Sequence, residues 1–139
     1  MRFLIVRLTS INRLSKNSHQ ALKTMTRHLL TGGIVIIVPW STKETFKEKI
    51  MVDAVKHPHV KIARMENVKL KTPNVVVVMF HHLIGRDGQV TYHTQTMEVG
   101  LFSQEAYISA FQKAGLELVE VYEGVAIKMG AFIGRLPRH

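Results

Sequence analysis

The chain has 139 residues, 46% of them apolar, no cysteine and a formal net charge of +9. That length makes one domain with a real core, about a third of the unfolded chain's surface staying wet, and the missing cysteine excludes disulfides, thiolate metal sites and cysteine nucleophiles. No apolar run approaches the roughly 20 residues that span a bilayer, and Phe3-Leu4-Ile5-Val6, between Arg2 and Arg7, is too short for a signal-peptide core, so the expectation is a soluble cytoplasmic protein.

Phe3 to Leu8 is a near-continuous apolar run, the pattern of a parallel strand covered on both faces. Asn17 or Ser18 can then cap a helix whose apolar positions Ala21, Leu22, Met25 and Leu29 follow helical spacing, with Gly32 and Gly33 supplying a left-handed exit. Ile34 to Val38 is the next buried strand, and strand, helix and strand of this length predict a right-handed βαβ crossover. Open α/β sheets bind ligands outside the carboxyl ends of their strands, and this strand ends in Pro39-Trp40, an aromatic ring at the place where such a crevice opens.

A short helix is predicted from Lys43 to about Val55, ended by His57-Pro58-His59. Antiparallel structure follows. Val60 to Leu70 alternates imperfectly, which predicts a bulge near Arg64. Asn74 to Ile84 and Gln89 to Leu101 flank Gly85-Arg86-Asp87-Gly88, where Asp-Gly is a strong hairpin signal because both residues accept positive φ. Residues 60 to 101 therefore read as an inserted or appended β-meander within a single domain, 1 to 139.

Ser103 caps the last helix, Glu105 complements its positive end, and Phe102 can staple onto Tyr107. Ala106, Tyr107, Ala110, Phe111 and Ala114 form its predicted buried stripe, and Gly115 ends it. Leu116 to Val121 and Lys128 to Leu136 are two further strands, joined through Glu123-Gly124.

The excess of basic residues raises nucleic acid as a partner, but the lysines and arginines are scattered through residues 1 to 71 and not gathered in a compact run with interleaved aromatics. The eight histidines raise a metal, yet His81 and His82 adjoin on a predicted strand and point to opposite faces. His57 and His59 flank a proline without an acidic residue at ligand spacing, so no metal site is expected. His28 reads as a helix-end residue favoured by the helix dipole. A hydrolase with a nucleophile elbow is set aside for want of Gly-x-Ser-x-Gly.

Several segments carry a family resemblance. Leu8-Thr9-Ser10-Ile11-Asn12-Arg13-Leu14, His28-Leu29-Leu30-Thr31-Gly32-Gly33, Val38-Pro39-Trp40 and Leu101-Phe102-Ser103-Gln104-Glu105-Ala106-Tyr107, with Phe111 and Ala114-Gly115-Leu116, stand in that order. They are similar to the Phe-Ser-Ser-Ile-Gly-Tyr/His-Leu, His-Leu-x-Pro-Gly-Gly, Glu-Pro-Trp and Leu-Phe-x-x-Glu-x-Tyr segments of class I S-adenosylmethionine-dependent methyltransferases. The final Gly130-Ala131-Phe132-Ile133-Gly134 looks like that family's closing strand. The chain thus resembles the carboxyl-terminal half of these enzymes, most closely the amino-sugar N,N-dimethyltransferases.

The resemblance implies a partial Rossmann-like α/β sheet with an antiparallel meander, S-adenosylmethionine as cofactor, and a small-molecule amine as methyl acceptor. It implies cofactor contacts at Leu8, Thr9 and Ser10 and substrate contacts at Asn12, Arg13, Trp40 and Met97. Arg13 stands where the family has a Tyr or His near the substrate amine, Val38 where it has an acidic residue, and Met97 where it has a His, and the resemblance names no catalytic residue in this chain. Read from the residues alone, Thr9, Ser10 and Asn12 equally fit a βα turn rich in capping residues, while a lone Trp such as Trp40 is more often a core ring and Arg13 more often a solvated surface residue.

The family's amino-terminal half, with its glycine-rich loop and ribose-binding acid, has no counterpart in this sequence. A truncated methyltransferase inactive alone, a non-catalytic binding or assembly module, and a basic nucleic-acid-binding domain are the readings this leaves. Without that half, Phe3 to Leu8 is an apolar open edge, which predicts a homodimer or a covering partner using residues 3 to 8 or the exposed face of the meander.

Overall fold

The structure is a computed structural model that describes residues 3–8, 14–123 and 130–138, with side chains described from residue 20 onward. The chain divides into two compact units, Met1–Phe46 with Gly100–His139, and Lys47–Val99.

The first unit is a four-stranded sheet in the order β1-β2-β8-β7. β1 (Phe3–Leu8) pairs in parallel with β2 (Ile34–Pro39), from Phe3 beside Ile34 to Leu8 beside Pro39. α1 (Leu14–Thr26) connects them, giving the predicted strand–helix–strand unit. The helix starts at Leu14, upstream of Asn17 and Ser18, which lie inside it; a Ser or Asn in a helix interior costs only a few tenths of a kcal/mol, too little to stop a helix from extending. Nor do the glycines form its exit. The helix ends at Thr26, the His28 and Leu29 amides donate to the carbonyls of Met25 and Thr26, and Gly32, at φ 76°, shapes a separate turn in which the Gly33 amide donates to Leu30.

β2 alternates buried Val35, Ile37 and Pro39 with partly buried Ile34, Ile36 and Val38. Val35 and Ile37 meet Leu22 and Leu29 from the α1 side, Tyr107, Ala110 and Phe111 of α2 (Gln104–Lys113), and Leu116 and Phe132 in one core. β7 (Glu117–Tyr122) and β8 (Ala131–Arg135) form an antiparallel pair, and β8 lies antiparallel between β7 and β2. Gly134 is fixed by that core: a Cβ there would lie 2.4 Å from the ring of Phe111, so the ring packs on β8 where no side chain stands.

α2 is defined at both ends as its sequence predicts. Ser103 Oγ accepts from the Ala106 amide at 3.1 Å, and the Phe102 ring meets Tyr107 edge-on at 6.0 Å, a capped and stapled start. At the exit the Leu116 amide donates to Phe111 and the Gly115 amide to Gln112, both at 3.0 Å, the paired bonds of a Schellman turn. The stripe is narrower than predicted, because Ala106 is exposed while Tyr107, Ala110 and Phe111 are buried. Ala106 is the third helical residue, one turn ahead of Ala110, and points beside the core instead of into it.

The second unit is a four-stranded meander, β3 (Lys49–His57), β4 (Val60–Thr72), β5 (Val75–Arg86) and β6 (Gln89–Gly100), in sheet order β3-β4-β5-β6. The helix predicted from Lys43 to Val55 is absent. One helical turn does form at Thr42, where the Thr45 and Phe46 amides donate to the Thr42 carbonyl. Beyond it, Lys49 to His57 pair residue for residue with Val68 to Val60, and β-branched Ile50, Val52 and Val55 suit that strand better than a helix.

The register also corrects the bulge. Arg64 sits in an unbroken ladder between Asp53 and His82, and the irregularity falls at Leu70/Thr72. The β5–β6 turn is the predicted one: Asp87 at φ 52° and Gly88 at φ 73° form a two-residue loop with both residues left-handed.

Candidate functional site

The carboxyl ends of the two parallel strands define the candidate site. Because Leu8 stands beside Pro39, β1 and β2 end at the same edge of the sheet. Of the residues assigned there from the sequence, Leu8 closes β1, while Thr9, Ser10, Asn12 and Arg13 lie outside the described residues. Trp40 follows β2 directly and is half-buried, its ring tilted at 46° to Phe46 with centroids 6.2 Å apart.

Trp40 is held by a compact hydroxyl-rich turn. The Thr45 hydroxyl accepts from the Thr42 amide at 3.1 Å and lies 3.1 Å from the Thr42 hydroxyl and 3.2 Å from that of Ser41. Thr42 is itself buried and bridges to Phe102, whose carbonyl accepts from the Lys43 amide at 2.9 Å. This anchors the segment after Trp40 to the residues that open α2.

Glu44 completes the anchor. Both of its carboxylate oxygens accept from the Gln104 amide, at 3.1 and 3.2 Å, placing a negative charge at the positive start of α2. Hydrogen bonding to its own backbone amide, and further to that of Gln104, holds the carboxyl below its ordinary value against an opposing contribution from desolvation. Ionised and engaged with the helix, Glu44 is a positioning group and not a free acid or base. The sequence signal for this turn was present in Ser41-Thr42-Lys43-Glu44-Thr45, hydroxyl and acidic residues at capping spacing, but the pattern was absorbed into a longer predicted helix.

Met97 is half-buried on β6, in the meander unit, whereas Trp40 belongs to the first unit. His81 and His82 do face opposite ways: His81 Nδ1 lies 2.6 Å from the Tyr92 hydroxyl, and His82 stacks on Phe80 at 6.3 Å. Among the described residues no three metal-binding side chains converge. The first unit thus offers an aromatic wall and hydroxyls at the open end of a parallel strand pair, which suits orienting a ligand.

No protein-family model matches the chain. A dTDP-3-amino-3,4,6-trideoxy-alpha-D-glucopyranose N,N-dimethyltransferase of Streptomyces venezuelae is 30% identical over 116 residues, covering 82% of this chain and 48% of that protein. The crystal structure of Streptomyces venezuelae DesVI superposes with a TM-score of 0.85 at 25% identity, covering 98% of this chain and 58% of the other. CalS10, a SAM-bound amino pentose methyltransferase from Micromonospora echinaspora involved in calicheamicin biosynthesis, superposes at 0.75 and 24% identity, covering 84% and 49%. The chain resembles amino-sugar N,N-dimethyltransferases in sequence and has the partial Rossmann-like fold of class I methyltransferases. It spans about half the length of the curated relatives it matches.

Proposed function

We infer that this chain serves as the acceptor-facing, carboxyl-terminal half of an S-adenosylmethionine-dependent N-methyltransferase acting on the amine of an amino sugar. The observation that carries the reading is the sequence match to an amino-sugar N,N-dimethyltransferase at 30% identity over 116 residues. The superposition on Streptomyces venezuelae DesVI at a TM-score of 0.85 supports it.

S-adenosylmethionine, when bound, would supply an electrophilic methyl group, which the neutral amine would take as S-adenosylhomocysteine leaves and the nitrogen's proton passes to solvent. The chain's own task is alignment and exclusion of water. The carboxyl edge at Leu8 and Pro39 fits a ligand held outside the strand ends. By the resemblance, Leu8, Thr9 and Ser10 would contact the cofactor, Asn12 and Arg13 would orient the acceptor, and Trp40 would wall the reacting centre. The free side of β1, which pairs only with β2 among the described strands, is the edge on which the sheet of a cofactor-binding half adds its strands.

Titration calorimetry with S-adenosylmethionine tests the half-site reading. The chain alone is expected to give no heat of binding, and micromolar binding would overturn it. A chimera in which this chain replaces the matching half of the Streptomyces venezuelae dimethyltransferase tests the chemistry. It should bind the cofactor and methylate a nucleotide-linked amino sugar, with Trp40→Ala lowering the rate at least about tenfold. A folded, cofactor-binding chimera that methylates no amine would overturn the acceptor assignment.

A further inference from the structure

We propose that the tip of the β5–β6 hairpin is a binding site for a small phosphomonoester that also carries hydroxyl groups. A cavity of about 390 Å³ opens there, lined by Ile84, Arg86, Asp87, Gln89, Thr91 and His93, a volume within the range of sites that take small organic molecules. The lining converges for a local reason. Asp87 and Gly88 make a two-residue turn, so Arg86 faces Gln89 across the hairpin. Strand alternation then puts Ile84 with Arg86, and Gln89 with Thr91 and His93, on one face of the sheet.

Internal hydrogen bonds set one part of the lining and leave the rest available. The Thr91 hydroxyl donates to the Ile84 carbonyl at 3.4 Å and so accepts from His93 Nε2 at 3.1 Å. That fixes a proton on Nε2 and leaves Nδ1 as the nitrogen that can share a proton with a phosphate oxygen. The side chains of Arg86 and Gln89 have no hydrogen-bond or ion-pair partner among the described residues. An unengaged guanidinium is a planar fork matched to two phosphate oxygens, and the Gln89 amide adds a further donor.

The surrounding charge selects an anion. Lys61 pairs with Gly85, which lies between Ile84 and Arg86, and Lys56 pairs with Lys61 on its other side. Their backbones stand one and two strand spacings from β5, about 5 and 10 Å, near enough to act through ~0.1 M salt, whose Debye length is about 10 Å. Asp87 is the exception, and it narrows the choice. Its carboxylate repels a bare phosphate but accepts from a hydroxyl, so the lining matches a phosphate and hydroxyls carried by one molecule, with Ile84 as an apolar floor for the carbon skeleton. The site is independent of the methyl-transfer reading, because the residues that line it all belong to the meander unit.

Nitrogen–proton correlation spectra of the full chain, titrated with glucose 6-phosphate at low salt, test the site. Saturable shifts centred on residues 84–93 are expected, with a dissociation constant on the order of 1 mM. Glucose should give none, and inorganic phosphate should bind several-fold more weakly. Arg86→Gln/His93→Gln should weaken glucose 6-phosphate at least about tenfold, and because both residues are exposed that variant should keep its far-ultraviolet circular dichroism. Asp87→Asn keeps a residue that accepts the left-handed turn and should bring phosphate and glucose 6-phosphate to within about twofold of each other. No saturable shift up to about 20 mM, shifts centred outside the hairpin, or a folded double variant that binds as tightly as the wild type would overturn the proposal.

Discussion

The two units place comparable apolar content differently. In the first, Val35, Ile37, Phe111 and Phe132 are almost fully buried in one core built from two helices and a sheet. In the meander, strands of up to 13 residues hold their register through long ladders, while one face keeps Val52 at 74% and Val90 at 72% exposure. The first unit is stabilised by a packed interior, whereas the meander buries Val68, Val76, Val78 and Val99 and leaves a second apolar face open. Substitutions in the two should therefore differ sharply in effect.

The largest expected loss is Phe111→Ala, which empties the centre of the first unit's core and should cost about 3–5 kcal/mol in urea unfolding. Gly134→Ala drives a methyl group into the Phe111 ring and should cost about 1–3 kcal/mol by the same measurement. Raising the pH probes the same core without mutation. Burial pushes the Tyr107 hydroxyl up to about 12 from 10.0. A folded pKa above the unfolded one contributes stability that is complete below pH 10.0 and is lost as pH rises through about 12, so first-unit amides should lose hydrogen-exchange protection across that window.

Ser103→Ala removes the α2 cap and should cost about 1 kcal/mol. Glu44→Gln should cost less, and its effect should fade in acid: a lowered carboxyl pKa contributes stability above the ordinary value of 4.5 that disappears as pH falls through the folded value. The smallest effect belongs to the meander. Asp53→Ala breaks a surface ion pair with Arg64, 62% and 41% exposed, and should change stability by less than about 0.5 kcal/mol. A meander substitution of this kind that cost as much as Phe111→Ala would erase the distinction between the units.

The same contrast explains what could be read from the sequence. β1, β2 and α2 were legible because local chemistry and tertiary packing agree: dense apolar runs in the strands, and a cap, a staple and a glycine around α2. The Asp87-Gly88 turn was legible because its left-handed pair demands those residue types. Lys49 to His57 were misread because their charged and apolar residues fit a helix locally, and only the partner strand, Val60 to Val68, decides otherwise. Of the candidate site, the place of Trp40 directly after β2 was legible from the apolar run that precedes it. The Thr42, Glu44 and Thr45 anchor was missed, since its function is to join the turn to α2, some sixty residues later in the chain.

β8 is the last of the described strands in sequence, yet it lies between β2 and β7. The pairing of Val35 with Gly134 closes a loop of roughly a hundred residues, an entropic cost met before that contact returns any stability. The meander hairpins close over two-residue turns and carry no such delay. During synthesis, the sheet that bears Trp40 therefore stays divided between β1–β2 and β7 until β8 is made, after the meander strands that precede it.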